Sequence, residues 1–262
     1  MAPTIPIFLY HRIDARGDAG STHPETFERE LAWLADHGYR SLTLAEFDRA
    51  VSGAASTAPK KTVLFTFDDG YADLSAVVAP ALRRYGFTGV AFLITSLCAR
   101  SGSAGEVAGA SGNHLSWAQA RSLAAEGVLV FQSPSHSHER WSTETGAEQA
   151  LAGDLAASVD VLTEELRLPR SYFRHLAWPW GRCNESWELI GRDLGLTHQH
   201  LVQRGAVTRA GQTTRLPRIC FDGAFVQSFR TWVTVLSSPA GARACNRLFG
   251  TIRAHKHGLG YV

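Results

Sequence analysis

Asp68 and Asp69 stand side by side where the run Lys61-Thr62-Val63-Leu64-Phe65-Thr66-Phe67 ends, and Gly70-Tyr71 follow them. The run reads as a buried strand that delivers both acids to its C-terminal end. Neighbouring strand residues face opposite ways, so the two carboxylates can share one pocket only if the chain turns as the strand breaks, which Gly70 permits. One acid could then hold a metal while the other moves a proton. Two unpaired carboxylates at a low-dielectric strand end raise one another's pKa, so a cation or a shared proton is the expected compensation. A plain turn would use the same Asp-Asp-Gly residues; what decides between the two readings is the content of the other strand ends.

Three of those ends carry unusual side chains. His11 follows the apolar run Ile5 to Tyr10; Ser133-Pro134-Ser135-His136-Ser137-His138 follows Val128 to Phe131; Trp178-Pro179-Trp180-Gly181 follows a run from Phe173. His136 and His138, two apart beyond an apolar strand, suit a divalent metal that Asp69 would also bind. One carboxylate with two imidazoles favours zinc or another first-row divalent ion, which generates hydroxide near neutral pH and polarises a carbonyl, the needs of amide hydrolysis. His114, His175, His198, His200, His255 and His257 show no comparable pattern and read as ordinary surface or core residues.

Positioning these groups takes a repeated strand-then-helix chain. Thr22 or His23 caps a helix with Pro24 in its first turn and Phe27, Leu31 and Leu34 on one face up to Gly38. Further helices are expected over Leu44 to Val51, Leu74 to Tyr85, Trp117 to Glu126, Thr145 to Leu166, Asn184 to Leu194 and Phe225 to Leu236, with strands at Ser41 to Leu44, Gly89 to Ile94, Val128 to Phe131 and Phe173 to Trp178. Such alternation implies parallel strands in an α/β sheet or barrel, with the chemistry at strand C-termini. The Gly- and Ser-rich stretch Ser101 to Asn113 reads as a loop over the site, and Arg243, Arg247, Arg253 and Lys256 as a basic tail.

At 262 residues and 45% hydrophobic content the chain can bury a sizeable core, and one domain over 1–262 is expected, with 225–262 as a helical appendage. A net charge of +2 points away from nucleic acid and from a polybasic membrane patch. Cys98, Cys183, Cys220 and Cys245 form no CxxC pair, so neither a disulfide framework nor a thiolate zinc site is indicated. No apolar stretch is long enough to span a bilayer and the first residues lack a signal-peptide pattern, so a cytoplasmic location is expected. Oligomeric state is open.

Thr66-Phe67-Asp68-Asp69-Gly70-Tyr71, Leu115-Ser116-Trp117, the segment Ser133 to His138 and Ala177-Trp178-Pro179-Trp180-Gly181-Arg182, in that order, resemble the polysaccharide deacetylase family, carbohydrate esterase family 4. Tyr10-His11-Arg12-Ile13 and Arg215-Leu216-Pro217-Arg218-Ile219 resemble the branch that includes the poly-N-acetylglucosamine deacetylases. The resemblance runs from about Ile5 to Ile219. It implies a distorted (β/α) barrel and metal-dependent removal of an N-acetyl group from an amino sugar in a glycan, glycolipid or sugar conjugate. It also implies Asp68 as general base, Asp69 as metal ligand, His11 as the acid that protonates the leaving amine, and a groove of Tyr71, Trp178, Pro179, Trp180 and Arg182 for an N-acetylated sugar. The metal would be zinc, with cobalt or nickel as alternatives. The Tyr71 amide would face the oxyanion.

The departures from the family pattern are specific. Its metal motif is His, Ser or Thr, two residues, then His; Pro134 stands where the first His belongs and His138 at the second. Three outcomes remain open: His136 supplies the missing imidazole, the metal has two protein ligands and more water, or no metal binds. Ala177 occupies the place of an Arg that orients the catalytic acid in many members, an Arg the Tyr-His branch commonly lacks. No late Leu-x-His segment is present, which favours His11 as the acid. The rival readings are a non-catalytic carbohydrate-binding protein on the same fold and a hydrolase of another amide or ester.

Overall fold

The apolar runs expected as strands are strands, and helices fill the amphipathic stretches between them. The computed structural model describes residues 4–16, 20–53, 60–98, 114–141, 146–223 and 226–255. Strands β1 (Ile5–Tyr10), β2 (Arg12–Ile13) and β3 (Ser21–Thr22) lead into helix α1 (Pro24–Asp36), β4 (Arg40–Ser41), α2 (Leu44–Ser52), β5 (Thr62–Phe67) and α3 (Ala79–Tyr85). Then come β6 (Gly89–Phe92), α4 (Trp117–Glu126), β7 (Leu129–Gln132), α5 (Ala147–Leu166), β8 (His175–Ala177), α6 (Glu185–Asp193) and β9 (His198–His200). Short β10 (Ala206–Val207) and β11 (Ile219–Cys220) precede α7 (Val226–Ser237) and α8 (Pro239–His255).

Parallel β1, β5, β6 and β7 are successive neighbours, with β10 antiparallel on the outer side of β1, β11 also paired to β1 and β4 to β5. β8 and β9 form a separate parallel pair. Single bridges, Ser133 to Leu176 and His200 to Leu216, carry the hydrogen bonding from β7 to β8 and from β9 back towards β11. The result is the α/β architecture expected, a distorted barrel with interruptions in its ladder.

Every residue of β1 and β5 is buried, as strands covered on both faces require. Phe8, Tyr10, Phe65 and Phe67 pack outward against Phe27 and Leu31 of α1 and Phe229 of α7. Ile5, Ile7, Leu64, Val90 and Phe92 pack inward on Phe47, Ala50 and Val51. Helix α2 therefore plugs the end of the barrel where the strands begin, close to the first residue of β8, His175, whose Nε2 lies 2.8 Å from Asp48 Oδ1. The capping box of Thr43 and Glu46 fixes the start of this plug.

Differences from expectation have local causes. The helix expected over Leu74 to Tyr85 opens with a π-helical turn, Leu74–Val78, just before Pro80. Where a basic tail was expected, helix α8 runs through Arg243, Arg247 and Arg253. β9, β10 and β11 are two or three residues long, too short to give a period. The expected Ser101 to Asn113 loop lies outside the described residues.

One buried acid outside the barrel should set a pH dependence of stability. Tyr10 Oη donates to Glu30 Oε2 at 2.8 Å in a fully buried setting, and burial foremost, then the Asp222 charge, raises Glu30 from 4.5 to about 8. Between those values the folded state keeps a proton that the unfolded chain releases, so stability falls as pH rises, by up to about 1.4 kcal/mol per pH unit. Glu30→Gln, which mimics the protonated acid, is expected to flatten that slope and to be the more stable protein at pH 8 in urea unfolding.

Candidate active site

Strand register brings the expected residues to one rim. Tyr10 is opposite Phe67 and Leu9 opposite Cys220, so the residues just beyond these ends, His11, Asp68 and Asp222, emerge together. They line a cavity of about 620 Å³ with Asp69, Tyr71, His138 and Trp180. Asp68 leaves β5 in extended register, and Asp69 then adopts φ 70, a left-handed conformation that Asp tolerates, which swings its carboxylate into the same cavity. Gly70 continues with φ 77, and a Cβ there would lie 2.6 Å from Leu93 Cδ2. The turn thus needs glycine at position 70 on both conformational and steric grounds.

The compensation for Asp68 is an arginine. Arg218, fully buried, donates from its two terminal nitrogens to Asp68 Oδ1 at 2.6 Å and Oδ2 at 2.7 Å, with further bonds to Thr66 Oγ1 and the Leu201 carbonyl. Its guanidinium lies over the Phe92 ring at 5.4 Å. Arg218 was in view in the sequence, but no role was assigned to it; a charged residue inside the apolar stretch Leu216-Pro217-Arg218-Ile219 is the signal of a buried pair.

His11 also has a partner that the sequence reading missed. Its Nδ1 lies 2.5 Å from Asp222 Oδ2 and its backbone N–H donates to Asp222 Oδ1 at 3.2 Å. Burial alone would lower the His11 pKa; hydrogen bonding to Asp222 and Cys220, with the charges of Asp222 and Asp68, overrides it and raises the value well above 6.5. These contacts favour the imidazolium form of His11, and its side chain lines the cavity. Like Asp68, Asp222 directly follows an apolar run, here Ile219-Cys220-Phe221, and that pattern could have found it.

The metal half of the site is partly assembled. His138 Nε2 lies 3.6 Å from Asp69 Oδ1, close to the separation of about 3.4 Å between two ligands each about 2.1 Å from one tetrahedral ion. The donor set thus fits a divalent ion with one carboxylate and one imidazole. Tyr71 Oη donates to Asp69 Oδ2 at 3.4 Å; burial and the Asp69 charge push that phenol up to about 12, so it stays a donor. His136 is not brought to Asp69: its Nδ1 pairs with Thr95 Oγ1 at 2.8 Å, and the cavity wall is formed instead by Pro134, Ser137 and His138. The reason is the anchoring of the loop, where Asp154 of α5 accepts from the His136 and Ser137 amides and the Ser137 hydroxyl, and Ser135 Oγ accepts from the His138 amide. His138 (φ 56), Asp69 and Trp180 (φ 58) are non-glycine residues in costly backbone regions that line this one cavity, and Ser135 (φ 133) lies in the loop that carries His138.

The groove residues divide. Trp180 is 51% exposed at the mouth, with the Arg140 guanidinium 4.1 Å above its ring. Trp178 reaches the cavity but is otherwise packed in the core, its Nε1 donating to Gln199 Oε1 at 3.1 Å. Pro179 is buried and Arg182 exposed, and neither is among the cavity-lining residues. His114, read from sequence as an ordinary residue, stacks on Tyr71 at 4.8 Å and lines the cavity. Among the described residues, three metal-ligating side chains converge in two other places, His11 with Cys220 and Asp222, and Asp48 with His175 and His198.

Known proteins share this sequence pattern and this architecture. The polysaccharide deacetylase family matches residues 55–198. The poly-beta-1,6-N-acetyl-D-glucosamine N-deacetylase of Staphylococcus epidermidis is 27% identical over 218 residues, 81% of this chain and 72% of that protein. IcaB from Ammonifex degensii superposes with a TM-score of 0.75 at 22% identity, covering 90% of this chain and 97% of its own. The Streptococcus pyogenes deacetylase PplD, solved with acetate, gives 0.73 at 24% identity, covering 87% and 97%. With its paired strand-end aspartates in place and more than half its length matched, the chain belongs to the polysaccharide deacetylase family.

Proposed function

We propose that the protein hydrolyses the N-acetyl group of an amino-sugar glycan, with Asp68 as base, His11 as acid, and a divalent ion, zinc before cobalt or nickel, held by Asp69 and His138. The observation that carries this reading is the opposition, across one cavity, of a carboxylate whose charge is compensated and a histidine kept protonated. Acid and base in opposite protonation states at one pH are what a two-proton hydrolysis requires.

When bound, the ion would supply Lewis acidity and lower the pKa of water. Asp68, clamped in one plane by Arg218, has free lone pairs to accept the proton of an attacking water. The Tyr71 amide offers a donor to the developing oxyanion. His11 donates its proton to the departing nitrogen, so acetate and a free amino sugar leave. Trp180 offers an apolar face to a sugar ring at the mouth.

The test is acetate release from N-acetylglucosamine oligomers by protein loaded with zinc, cobalt or nickel, lost on chelation. A folded, metal-loaded protein that binds the oligomers and releases no acetate would favour the non-catalytic reading. Pro134 sits in the cavity wall where the family's first metal-binding His stands, so Pro134→His is expected to tighten metal binding by about tenfold or more, roughly 1.4 kcal/mol, in calorimetric titration. An unchanged affinity would mean that position 134 does not face the ion.

A further inference from the structure

At the opposite end of β8 and β9 from the cavity, three donor atoms converge that the deacetylase chemistry does not use. Asp48 comes from the helical plug α2, His175 is the first residue of β8 and His198 the first of β9. Ala177 and Trp178 line the catalytic cavity, so His175 stands two to three strand residues below it, on the order of 7–10 Å along the chain. Asp48 Oδ1 lies 2.8 Å from His175 Nε2 and 3.7 Å from His198 Nε2. All three ligand atoms fall within 4.8 Å of one another.

Three features make this more than a crowded corner. His198 is 94% buried by its 6% exposure, yet its Nε2 has no hydrogen-bond partner among the described residues and faces Asp48. A buried polar atom without a partner costs about 1–3 kcal/mol, so its retention calls for an occupant. Each ligand is also held from behind. His198 Nδ1 is 3.1 Å from Thr197 Oγ1, His175 Nδ1 is 3.0 Å from His200 Nε2, and Arg174 takes Asp48 Oδ2 at 2.5 Å. When His198 donates its Nδ1 proton to Thr197, the Nε2 lone pair points at the gap, which is how ligating imidazoles are oriented in metal sites. Finally the two imidazoles stack nearly parallel, centroids 4.5 Å apart, so both present the same edge to Asp48.

We propose that Asp48, His175 and His198 form a second divalent transition-metal site, separate from the catalytic cavity, that ties the α2 plug to the first residues of β8 and β9. One carboxylate oxygen and two imidazole nitrogens select zinc or a neighbouring first-row ion over calcium or magnesium. Arg174 stays on the other carboxylate oxygen, half exposed, where solvent screens its charge from the ion. The role is structural: the ion would clamp the helical plug to the first residues of two short strands. This inference does not depend on the deacetylase reading, and its test is independent of turnover.

The test uses the whole chain in an Asp69→Asn background, which removes a ligand from the catalytic site. After chelator treatment, calorimetric titration with Zn²⁺ should show one remaining equivalent, and Co²⁺ should give visible absorption bands of a low-coordinate nitrogen and oxygen site. Adding His198→Ala should weaken that binding at least tenfold and abolish the bands. Adding Asp48→Asn instead, a same-shape change at the helix, should weaken binding as well and serves as the deciding variant if His198→Ala does not fold. Zn²⁺ should also raise the thermal midpoint of the Asp69→Asn protein and fail to raise that of the Asp48→Asn double variant. No bound Zn²⁺ in the Asp69→Asn protein, or an isotherm unchanged by both added substitutions, would overturn the proposal.

Discussion

Asp68→Asn is expected to lower kcat for acetate release by about 10³-fold or more, within the upper range for removal of a general base, with metal binding and fold retained. Asn keeps the shape and can accept one of the two Arg218 hydrogen bonds through Oδ1, so the fold is kept at reduced stability while catalysis loses its proton acceptor. The partner separates chemistry from architecture. Arg218 is wholly buried and makes a two-point contact with Asp68, so Arg218→Met leaves the Asp68 carboxylate in the barrel without its paired guanidinium. Breaking a buried pair from one side costs about 3–5 kcal/mol, and the protein should lose both stability and activity. Arg218→Lys keeps the charge and gives up the fork, so stability should recover in part while kcat stays low because the Asp68 plane is no longer fixed. Urea unfolding beside acetate assays on the three variants would show the pattern; an active Asp68→Asn protein would remove Asp68 from the role of base.

The fold and half of the site were legible because they rest on local signals. β1 and β5 are unbroken apolar runs, Gly86 and Gly127 close α3 and α4, and Asp68-Asp69-Gly70 marks its own turn. What sequence did not yield depends on partners distant in the chain. Arg218 reaches Asp68 across 150 positions and Asp222 reaches His11 across 211, and no spacing rule links them. His175, His198 and His200 looked like scattered histidines because β9 is only three residues long, and pairing of β8 with β9 is what gathers them. His136 failed to join Asp69 for a different reason: two imidazoles two apart look like a pair, but Asp154, on a helix expected from sequence whose packing against this loop is not, dictates which of them faces the cavity.

Asp222→Asn should move the alkaline limb of the kcat/KM profile to lower pH, because the groups facing His11 decide whether it carries a proton. Those groups are Asp222, Cys220 and Asp68, and against the lowering effect of burial it is Asp222 that contributes both the leading hydrogen bond and the leading charge. With Asn in its place burial prevails, the imidazole loses its proton earlier, and the acid is missing where the wild-type protein still works. Removing a hydrogen bond to a charged group is worth about 1.5–3 kcal/mol, so the limb should shift by about 1–2 pH units. Above the wild-type limb the variant should then be about tenfold to a hundredfold slower, and the difference should vanish as pH is lowered. His11→Ala should instead be slow at every pH, by about 10²–10⁴-fold, with the alkaline limb gone. Stability supplies an independent check of sign. A histidine whose pKa is raised on folding stabilises the protein fully below its unfolded value and loses that contribution as pH rises through the folded value. The deficit of Asp222→Asn in thermal unfolding should therefore be largest in acid and shrink in alkali, whereas a merely structural role for Asp222 would give a deficit independent of pH and an unmoved alkaline limb.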